Sequence, residues 1–357
     1  MTPTCKAVMC TAIGEACVQE VPIPSVREGY TLFRTKAVAL NPTDWKSMHF
    51  ANPDAVGTRL GVDFAGVVEE VGPGVTKQWK KGDRVCGGVC GAKNAESGAF
   101  GEYLIAKGGI QIKIPDHLSF EEAATLGTGI TTCGQGLYQF LKLPLPTSDL
   151  TESNGQSILI YGGSTATGIL GIQYAKLSGL TVLTTASPHN FDYVRSMGAD
   201  VVWDYHTDVE VLAKEIQAYT NNKLTLVWDC RPTADSGRLC ALAMSDREKG
   251  LYCSVQPGTK ADSLKTFNPL VDAGFTIGYT AFGESFTRAG RTYEAKPEDV
   301  KFAENFWAMS SKLLAAGKLK VSNITLNRGG EGLDGVINGL EDLKQGRVSG
   351  TKLVYTV

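Results

Sequence analysis

Two textures of hydrophobic and polar positions divide the chain. Up to about residue 115, short apolar runs alternate with glycine and proline, and Thr31–Leu40, Gly66–Val71, Asp83–Val85, Phe100–Ile105 and Gln111–Ile114 each read as a strand. Turns this frequent, with no long helix, predict a compact, mostly β domain or a small barrel. Helical periodicity then sets in at Ser119–Thr125 and Gly129–Leu141, the first opened by Ser119 with Glu122 three residues on, the spacing of a capping box. Leu143–Gly155, with its prolines, serines and an Asn-Gly pair, reads as a loop between domains.

From Ser157 onward strands and helices alternate. Ser157–Tyr161, Thr181–Thr185, Val201–Trp203 and Leu224–Asp229 have strand character, and Ile169–Ser178, Asn190–Met197 and Val209–Tyr219 have helical spacing. Such alternation predicts a parallel sheet with helices on both faces. A long helix, Pro297–Ala316, follows, then a glycine-rich segment and the strand-like Lys352–Thr356. So short a terminal strand cannot stand alone and is expected to return to the first domain's sheet. The expected division is therefore 1–150, 156–295 and a C-terminal 296–357.

Length and composition narrow the class. At 357 residues the chain exceeds one ordinary core, and 43% hydrophobic residues with 41 Gly and 14 Pro describe a folded α/β enzyme. A net charge of −2 gives no broad attraction for nucleic acid or anionic membrane, so a small or protein-tethered substrate is expected. Met1–Val8 lacks the pattern of a secretory signal, and no stretch is apolar over the ~18 residues that spanning a bilayer needs; a cytoplasmic protein is expected. The nine cysteines form neither a disulfide framework nor a metal ribbon.

Candidate chemistry starts at the turn after Ser157–Tyr161. Gly162-Gly163-Ser164-Thr165-Ala166-Thr167-Gly168 precedes an apolar helix, and glycines there let backbone approach a pyrophosphate while the helix start offers free N–H groups. Thr165 stands where the middle glycine of G-x-G-x-x-G would be, so the heptapeptide alone reads equally as an ordinary β-to-α turn; the βαβαβ context favours a nucleotide. Ser164, Thr165 and Thr167 offer hydroxyls to phosphate oxygens. About 20 residues further on, where a carboxylate would grip the ribose of NAD, the chain has Ala186-Ser187-Pro188-His189-Asn190. An acid there would repel a 2′-phosphate, and its absence favours NADPH. His189 reads either as a phosphate partner or as a loop residue, and Tyr205 either packs beside the adenine end or is a surface tyrosine.

A catalytic zinc needs three convergent ligands. The four histidines, His49, His117, His189 and His206, form no ligand pair, and Cys86 and Cys90 have no second pair, so no metal is expected. Without one, a reductase still delivers hydride to a conjugated carbon if donors steady the enolate oxygen and a proton source is at hand. Lys46, in Asn41-Pro-Thr-Asp-Trp-Lys46, is the candidate for charge near the nicotinamide ribose and the enolate; a solvated lysine on a first helical turn is the commoner fate.

At these residues the chain resembles the zinc-free medium-chain dehydrogenase/reductases. Asn41-Pro-Thr-Asp44 stands where zinc alcohol dehydrogenases have Cys-x-x-Asp, and Gly61-Val-Asp63 where they have Gly-His-Glu; Gly82-Asp-Arg-Val85, Gly98-Ala-Phe-Gly-Glu-Tyr103 and Leu118-Ser-Phe-Glu-Glu-Ala-Ala124 also match. A narrower resemblance, to the fungal trans-acting enoyl reductases of the lovastatin type that serve highly reducing polyketide synthases, rests on Tyr161-Gly-Gly-Ser-Thr-Ala-Thr167, Ser187-Pro-His-Asn-Phe-Asp192, Phe282-Gly-Glu284, Leu143-Pro-Leu-Pro146 and Ser349-Gly-Thr-Lys-Leu-Val-Tyr355. The resemblance implies a GroES-like, β-rich catalytic domain joined to a Rossmann doubly wound parallel sheet. It implies NADPH contacts from Thr43, Asp44, Trp45, Lys46, Ser164, Thr165, Ala166, Thr167, Ser187, Pro188, His189, Asn190, Tyr205, Val255, Gln256, Val348 and Ser349. Gln256 departs from the Asn that the family pattern leads one to expect. It puts the acyl chain against Thr132, Cys133, Gly134, Gln135, Gly136, Leu137, Tyr138 and Gln139, and against Tyr279, Thr280, Ala281, Phe282 and Gly283. It makes Lys46 and Thr132 the catalytic candidates, the lysine for cofactor positioning or proton relay and the threonine as donor to the substrate carbonyl. The implied partner is the acyl carrier protein of a polyketide synthase, and the implied state a monomer. A free-standing NADPH quinone or enone reductase is the alternative enzyme, and a nucleotide-binding scaffold without turnover the alternative outside enzymology.

Overall fold

The computed structural model describes residues 2–49, 55–107, 109–146, 155–257, 261–288 and 290–357. Within the expected interdomain loop, 147–154 lie outside the described residues. The chain divides into two compact units, Met1–Thr131 with Tyr279–Val357, and Thr132–Gly278.

The first unit opens with an antiparallel hairpin of β1 (Thr4–Ala12) and β2 (Glu15–Pro22). Its sheet is built on β3 (Tyr30–Ala39), which β4 (Asp63–Val71) follows antiparallel along one edge. Beyond β4 lie β5 (Arg84–Gly88) and then β7 (Gln111–Lys113). The other edge of β3 is shared: β6 (Tyr103–Lys107) pairs with Tyr30–Arg34, and the C-terminal strand Lys352–Thr356 pairs with Ala37–Ala39. Register shifts at Leu32/Phe33 and Thr35/Ala37 bend β3, as bulges do, so that one strand serves two partners. Phe33, Phe64, Val68, Val85, Leu104, Leu353 and Tyr355 fill the core, with the Phe33 and Phe64 rings 5.1 Å apart.

The glycine-rich segment after residue 330 is a helix, Gly332–Lys344, which pattern reading missed. Its glycines are contact surface: a Cβ on Gly339 would lie 2.2 Å from the Tyr355 hydroxyl, so the missing side chain lets the helix lie directly on the C-terminal strand.

The second unit is a six-stranded parallel sheet. Its strands are β8 (Ser157–Tyr161), β9 (Thr181–Ala186), β10 (Val201–Asp204), β11 (Leu226–Asp229), β12 (Gly250–Ser254) and β13 (Val271–Phe275). The order is β10-β9-β8-β11-β12-β13, so the winding reverses between β8 and β11. In doubly wound sheets that reversal opens a ligand crevice beyond the strand C-termini. The helix Ala166–Leu177 is buried continuously from Gly168 to Ala175, which accounts for its lack of a polar face.

The expected helix Gly129–Leu141 is present but changes pitch, running as an α-helix over Gly127–Cys133 and a π-helix over Gly134–Phe140. The Leu141 N–H reaches back five residues to the Gly136 carbonyl. Gly136 has no room for a side chain, since its Cβ would lie 2.6 Å from Trp228 Nε1, and Tyr138 packs edge-on against Tyr174. These contacts tie the π-helix to the parallel sheet, so the second unit begins at Thr132, earlier than the loop from which the sequence reading starts it.

Candidate active site

The second unit presents the glycine turn as a built cradle. Gly162, at φ +77°, follows β8, and its N–H donates to Thr185 Oγ1 at 3.1 Å while Gly163 N–H donates to the Thr185 carbonyl at 2.9 Å. A Cβ on Gly163 would lie 2.1 Å from Thr184 Oγ1, and one on Gly168 would lie 2.5 Å from the Gly162 carbonyl oxygen. Both positions must be bare for the helix to start hard against β8, and the first-turn N–H groups of Ala166 and Thr167 have no intrahelical partner. Thr165 is the N-cap: its hydroxyl donates to the Gly162 carbonyl at 2.8 Å and accepts from Gly168 N–H at 3.0 Å. The cap therefore occupies a hydroxyl that the sequence reading offers to phosphate, whereas Ser164 and Thr167 keep theirs half-exposed.

At the ends of β9 and β10 the candidate ribose and phosphate residues converge. The Ser187 hydroxyl reaches Tyr205 Oη at 3.4 Å, the Tyr205 N–H faces the Ala186 carbonyl, and Asn190 Nδ2 lies 3.2 Å from His189 Nε2. Pro188 opens the single 3₁₀ turn Pro188–Asn190. The acid here, Asp204, bonds His206, whose Nδ1 lies 2.6 Å from its Oδ1, and the Tyr205 ring lies against His206, tilted by 31°. Val255 and Gln256 follow β12, with Val255 N–H bonded to the Asp229 carbonyl and the Gln256 carbonyl accepting from Ser254 Oγ.

Asp229, at the end of β11, is buried, and its carboxylate accepts from Ser236 Oγ, Tyr252 Oη and Arg231 N–H. Burial outweighs these bonds and pushes its pKa up to about 6. Sequence reasoning missed Arg231, which the Asp229 turn sets against the cradle: a Cβ on Gly162 would lie 3.4 Å from Arg231 Cβ.

Of the residues Thr132–Gln139, several face the second unit's own core. Cys133 and Leu137 are fully buried, Tyr138 Oη bonds to the Tyr174 carbonyl and Ser178 Oγ, and Gln135 Oε1 accepts from Ile277 N–H. Thr132 is 6% exposed, and Gln139 is half-buried. Gly134 and Gly136 are also buried.

In the first unit Lys46 rides on the helix Pro42–His49, half-buried, with Nζ 5.7 Å from the centre of the Trp45 ring. This helix is anchored at both ends. Thr43 Oγ1 lies 2.6 Å from Tyr279 Oη, and Ser47 Oγ donates to the Thr43 carbonyl while accepting from Arg288 Nη1. The Arg288 guanidinium also donates to the Gly91 carbonyl at 2.6 Å and lies 4.4 Å over the Tyr279 ring. Asp44 is turned inward and 2% exposed; Oδ2 accepts from Asn41 N–H at 2.7 Å and Oδ1 has no partner. Burial, with Asp63 close by, raises its pKa to about 8.

The segment Tyr279–Gly283 is pinned from several sides. Thr280 Oγ1 donates to Asp299 Oδ2 at 2.5 Å, Ala281 is buried, and Gly283 sits at φ +68° where a Cβ would meet Val300 at 2.7 Å. Phe282 reaches towards Gly88 at the end of β5. Glu284 locks the turn by bonding Tyr30 Oη and Lys93 Nζ, with Lys107 Nζ at 3.9 Å. Burial acts to raise the Glu284 pKa, but the bonds from Lys93 and Tyr30 hold it below the usual range. Val348 packs on the core of this unit, and Ser349 is exposed just before the C-terminal strand. Among the described residues no three His, Cys, Asp or Glu side chains are grouped to hold a metal ion.

The alcohol dehydrogenase GroES-like domain matches residues 27–116, and the zinc-binding dehydrogenase family matches residues 166–293. The trans-enoyl reductase resD of Aspergillus sclerotiorum is 43% identical over 99% of this chain and 100% of its own. ACTTS2 of Alternaria alternata, also a trans-enoyl reductase, is 45% identical over 99% of each chain. Among solved structures, CurK enoyl reductase superposes with a TM-score of 0.77 at 18% identity, covering 99% of both chains. Mycobacterial Rv1454c, solved in complex with NADPH, gives 0.76 at 19% identity over 99% of this chain and 100% of that one. The chain belongs to the trans-enoyl reductases of the medium-chain dehydrogenase/reductase family, oxidoreductases that use a nicotinamide cofactor.

Proposed function

We propose that the chain reduces the α,β-double bond of an enoyl thioester carried on the acyl carrier protein of a highly reducing polyketide synthase, with NADPH as reductant. The observation that carries this reading is the glycine cradle, closed to any side chain at Gly163 and Gly168, beside the end of β9, Ala186–Asn190, which carries no carboxylate, in a chain similar along its whole length to trans-enoyl reductases. The bare glycines and the first-turn N–H groups fit a dinucleotide pyrophosphate, and Ser187, His189, Asn190 and Tyr205 fit a 2′-phosphate.

When bound, NADPH supplies the hydride that reaches the β-carbon. The remaining work falls to side chains. Lys46, held by the Thr43–Tyr279 and Ser47–Arg288 anchors, places a positive charge for the nicotinamide ribose and the developing enolate, and Thr132 donates to the thioester carbonyl. The α-carbon takes a proton in a second step, for which Lys46 is the candidate relay. We assign acyl contacts to Tyr279–Gly283 and, within the otherwise buried Thr132–Gln139 segment, to the Thr132 hydroxyl and the half-buried Gln139. The same reading makes the enzyme a cytoplasmic monomer.

The test is turnover of NADPH with a carrier-bound enoyl thioester set beside small quinones and enones. Preferential reduction of the carrier-bound substrate supports the proposal. Efficient quinone turnover with no reduction of the thioester replaces it with a free-standing reductase, and NADPH binding without any hydride transfer points to a scaffold.

A further inference from the structure

The strand ends proposed to take the adenosine end of the cofactor, Ala186–Asn190 and Tyr205–His206, contain neither lysine nor arginine. A phosphorylated dinucleotide brings a diphosphate and a 2′-phosphate, and charge-assisted bonds from a guanidinium are the strong way to hold such groups. The crevice has a cation of this kind on its other side. Cys230 N–H bonds to the Tyr161 carbonyl at 2.9 Å, which keeps the chain after β11 alongside the end of β8. Arg231 comes next, its backbone N–H held by Asp229 Oδ1 at 2.9 Å, its Cβ against Gly162.

Three features leave Arg231, exposed beside the cradle, available to an anionic ligand. Its side chain has no hydrogen-bond or ion-pair partner among the described residues, although it is the charge that stands at the cradle. Asp229, whose Oδ1 accepts the Arg231 backbone N–H, turns its Oδ2 to Ser236 and Tyr252 and makes no ion pair with the guanidinium. Pro232 follows directly and restricts the backbone of Arg231 to extended conformations, which fixes where its side chain leaves the chain.

We propose that Arg231 is a phosphate ligand of the bound dinucleotide, supplying from the end of β11 the cation that the end of β9 lacks. The proposal rests on the nicotinamide-cofactor reading. The shared chemistry is a phosphate oxyanion, and the diphosphate and the 2′-phosphate are distinguished by experiment.

Binding of NADPH and of NADH to the full chain is measured by fluorescence titration for wild type, Arg231→Ala and Arg231→Lys, at low and high salt. The expected result is at least about tenfold weaker NADPH binding for Arg231→Ala, partial recovery in Arg231→Lys, and a shallower salt dependence than wild type. An equal loss for NADH assigns the diphosphate, and a loss confined to NADPH assigns the 2′-phosphate. Arg231→Ala binding both dinucleotides within twofold of wild type, with an unchanged circular dichroism spectrum, overturns the proposal. Wild type binding NADH but not NADPH removes the NADPH reading while the NADH titration still judges Arg231; wild type binding neither overturns both.

Discussion

Lys352 and Asp63 form an ion pair with both side chains buried, Nζ to Oδ2 at 2.6 Å, joining the C-terminal strand to the start of β4 across 289 positions of sequence. The lysine also donates to the Thr125 carbonyl, and Asp63 accepts from Asn41 Nδ2 and from the N–H and hydroxyl of Thr128. Asp63 stands where zinc alcohol dehydrogenases have the Glu of Gly-His-Glu. Here both its oxygens hold the fold together, tying the Asn41–Lys46 segment to the helix Gly127–Cys133.

Removing one partner of a buried pair strands the other's charge. Lys352→Met is expected to cost about 3–5 kcal/mol in urea unfolding, whereas Asp63→Asn combined with Lys352→Met is expected to cost less than the single variant. Equal losses in the two would mean that packing, not charge, is at stake.

Asp44 sets the sign of one pH effect. Its pKa rises from 3.8 in the unfolded chain to about 8 in the native state, so the native state holds the extra proton between those values. Stability is then fully present below about pH 4 and falls as pH rises towards 8, by at most about 1.4 kcal/mol per pH unit from this group. Asp44→Asn, which keeps an acceptor for Asn41 N–H, is expected to flatten that slope in unfolding curves taken from pH 5 to 8. An unchanged slope would show that Asp44 does not hold the proton.

The Glu284 lock predicts a separation of substrate and cofactor effects. Glu284→Gln loosens Lys93 and Tyr30 and so the Tyr279–Gly283 wall; KM for the enoyl thioester is expected to rise about tenfold, some 1.4 kcal/mol, with NADPH affinity unchanged. A matching loss of NADPH affinity would place the lock's action elsewhere.

Gly168 tests the cradle. A methyl there meets backbone, the Gly162 carbonyl oxygen at 2.5 Å and Gly163 Cα at 2.8 Å, and neither can swing aside. Gly168→Ala is expected to weaken NADPH binding at least tenfold and to cost about 1–3 kcal/mol of stability, read by titration and by urea unfolding.

Much of this was legible in the pattern of residues. The strands from β3 to β11 announce themselves as apolar runs, most of them closed by glycine or proline, and the Ser119–Glu122 capping box is present as read. The first hairpin is not legible: β2 is largely exposed and β1 carries a bulge between Cys10 and Ala12, so neither alternates cleanly. β12 and β13 escape because Gly250–Ser254 and Val271–Phe275 mix glycine and polar residues with few branched ones. At the site, the glycine turn and the acid-free strand end were readable as local motifs. Arg288 with Ser47, Glu284 with Tyr30, and Lys352 with Asp63 were not, since each pair lies more than 240 residues apart and only folding brings it together.

The most direct measurement uses NADPH deuterated at C4 of the nicotinamide, with a carrier-bound enoyl thioester in ordinary water. The expected product is the saturated thioester with one deuterium at the β-carbon and a solvent-derived proton at the α-carbon. Saturated product without deuterium at the β-carbon, or no product while NADPH is consumed by quinones, would contradict the account.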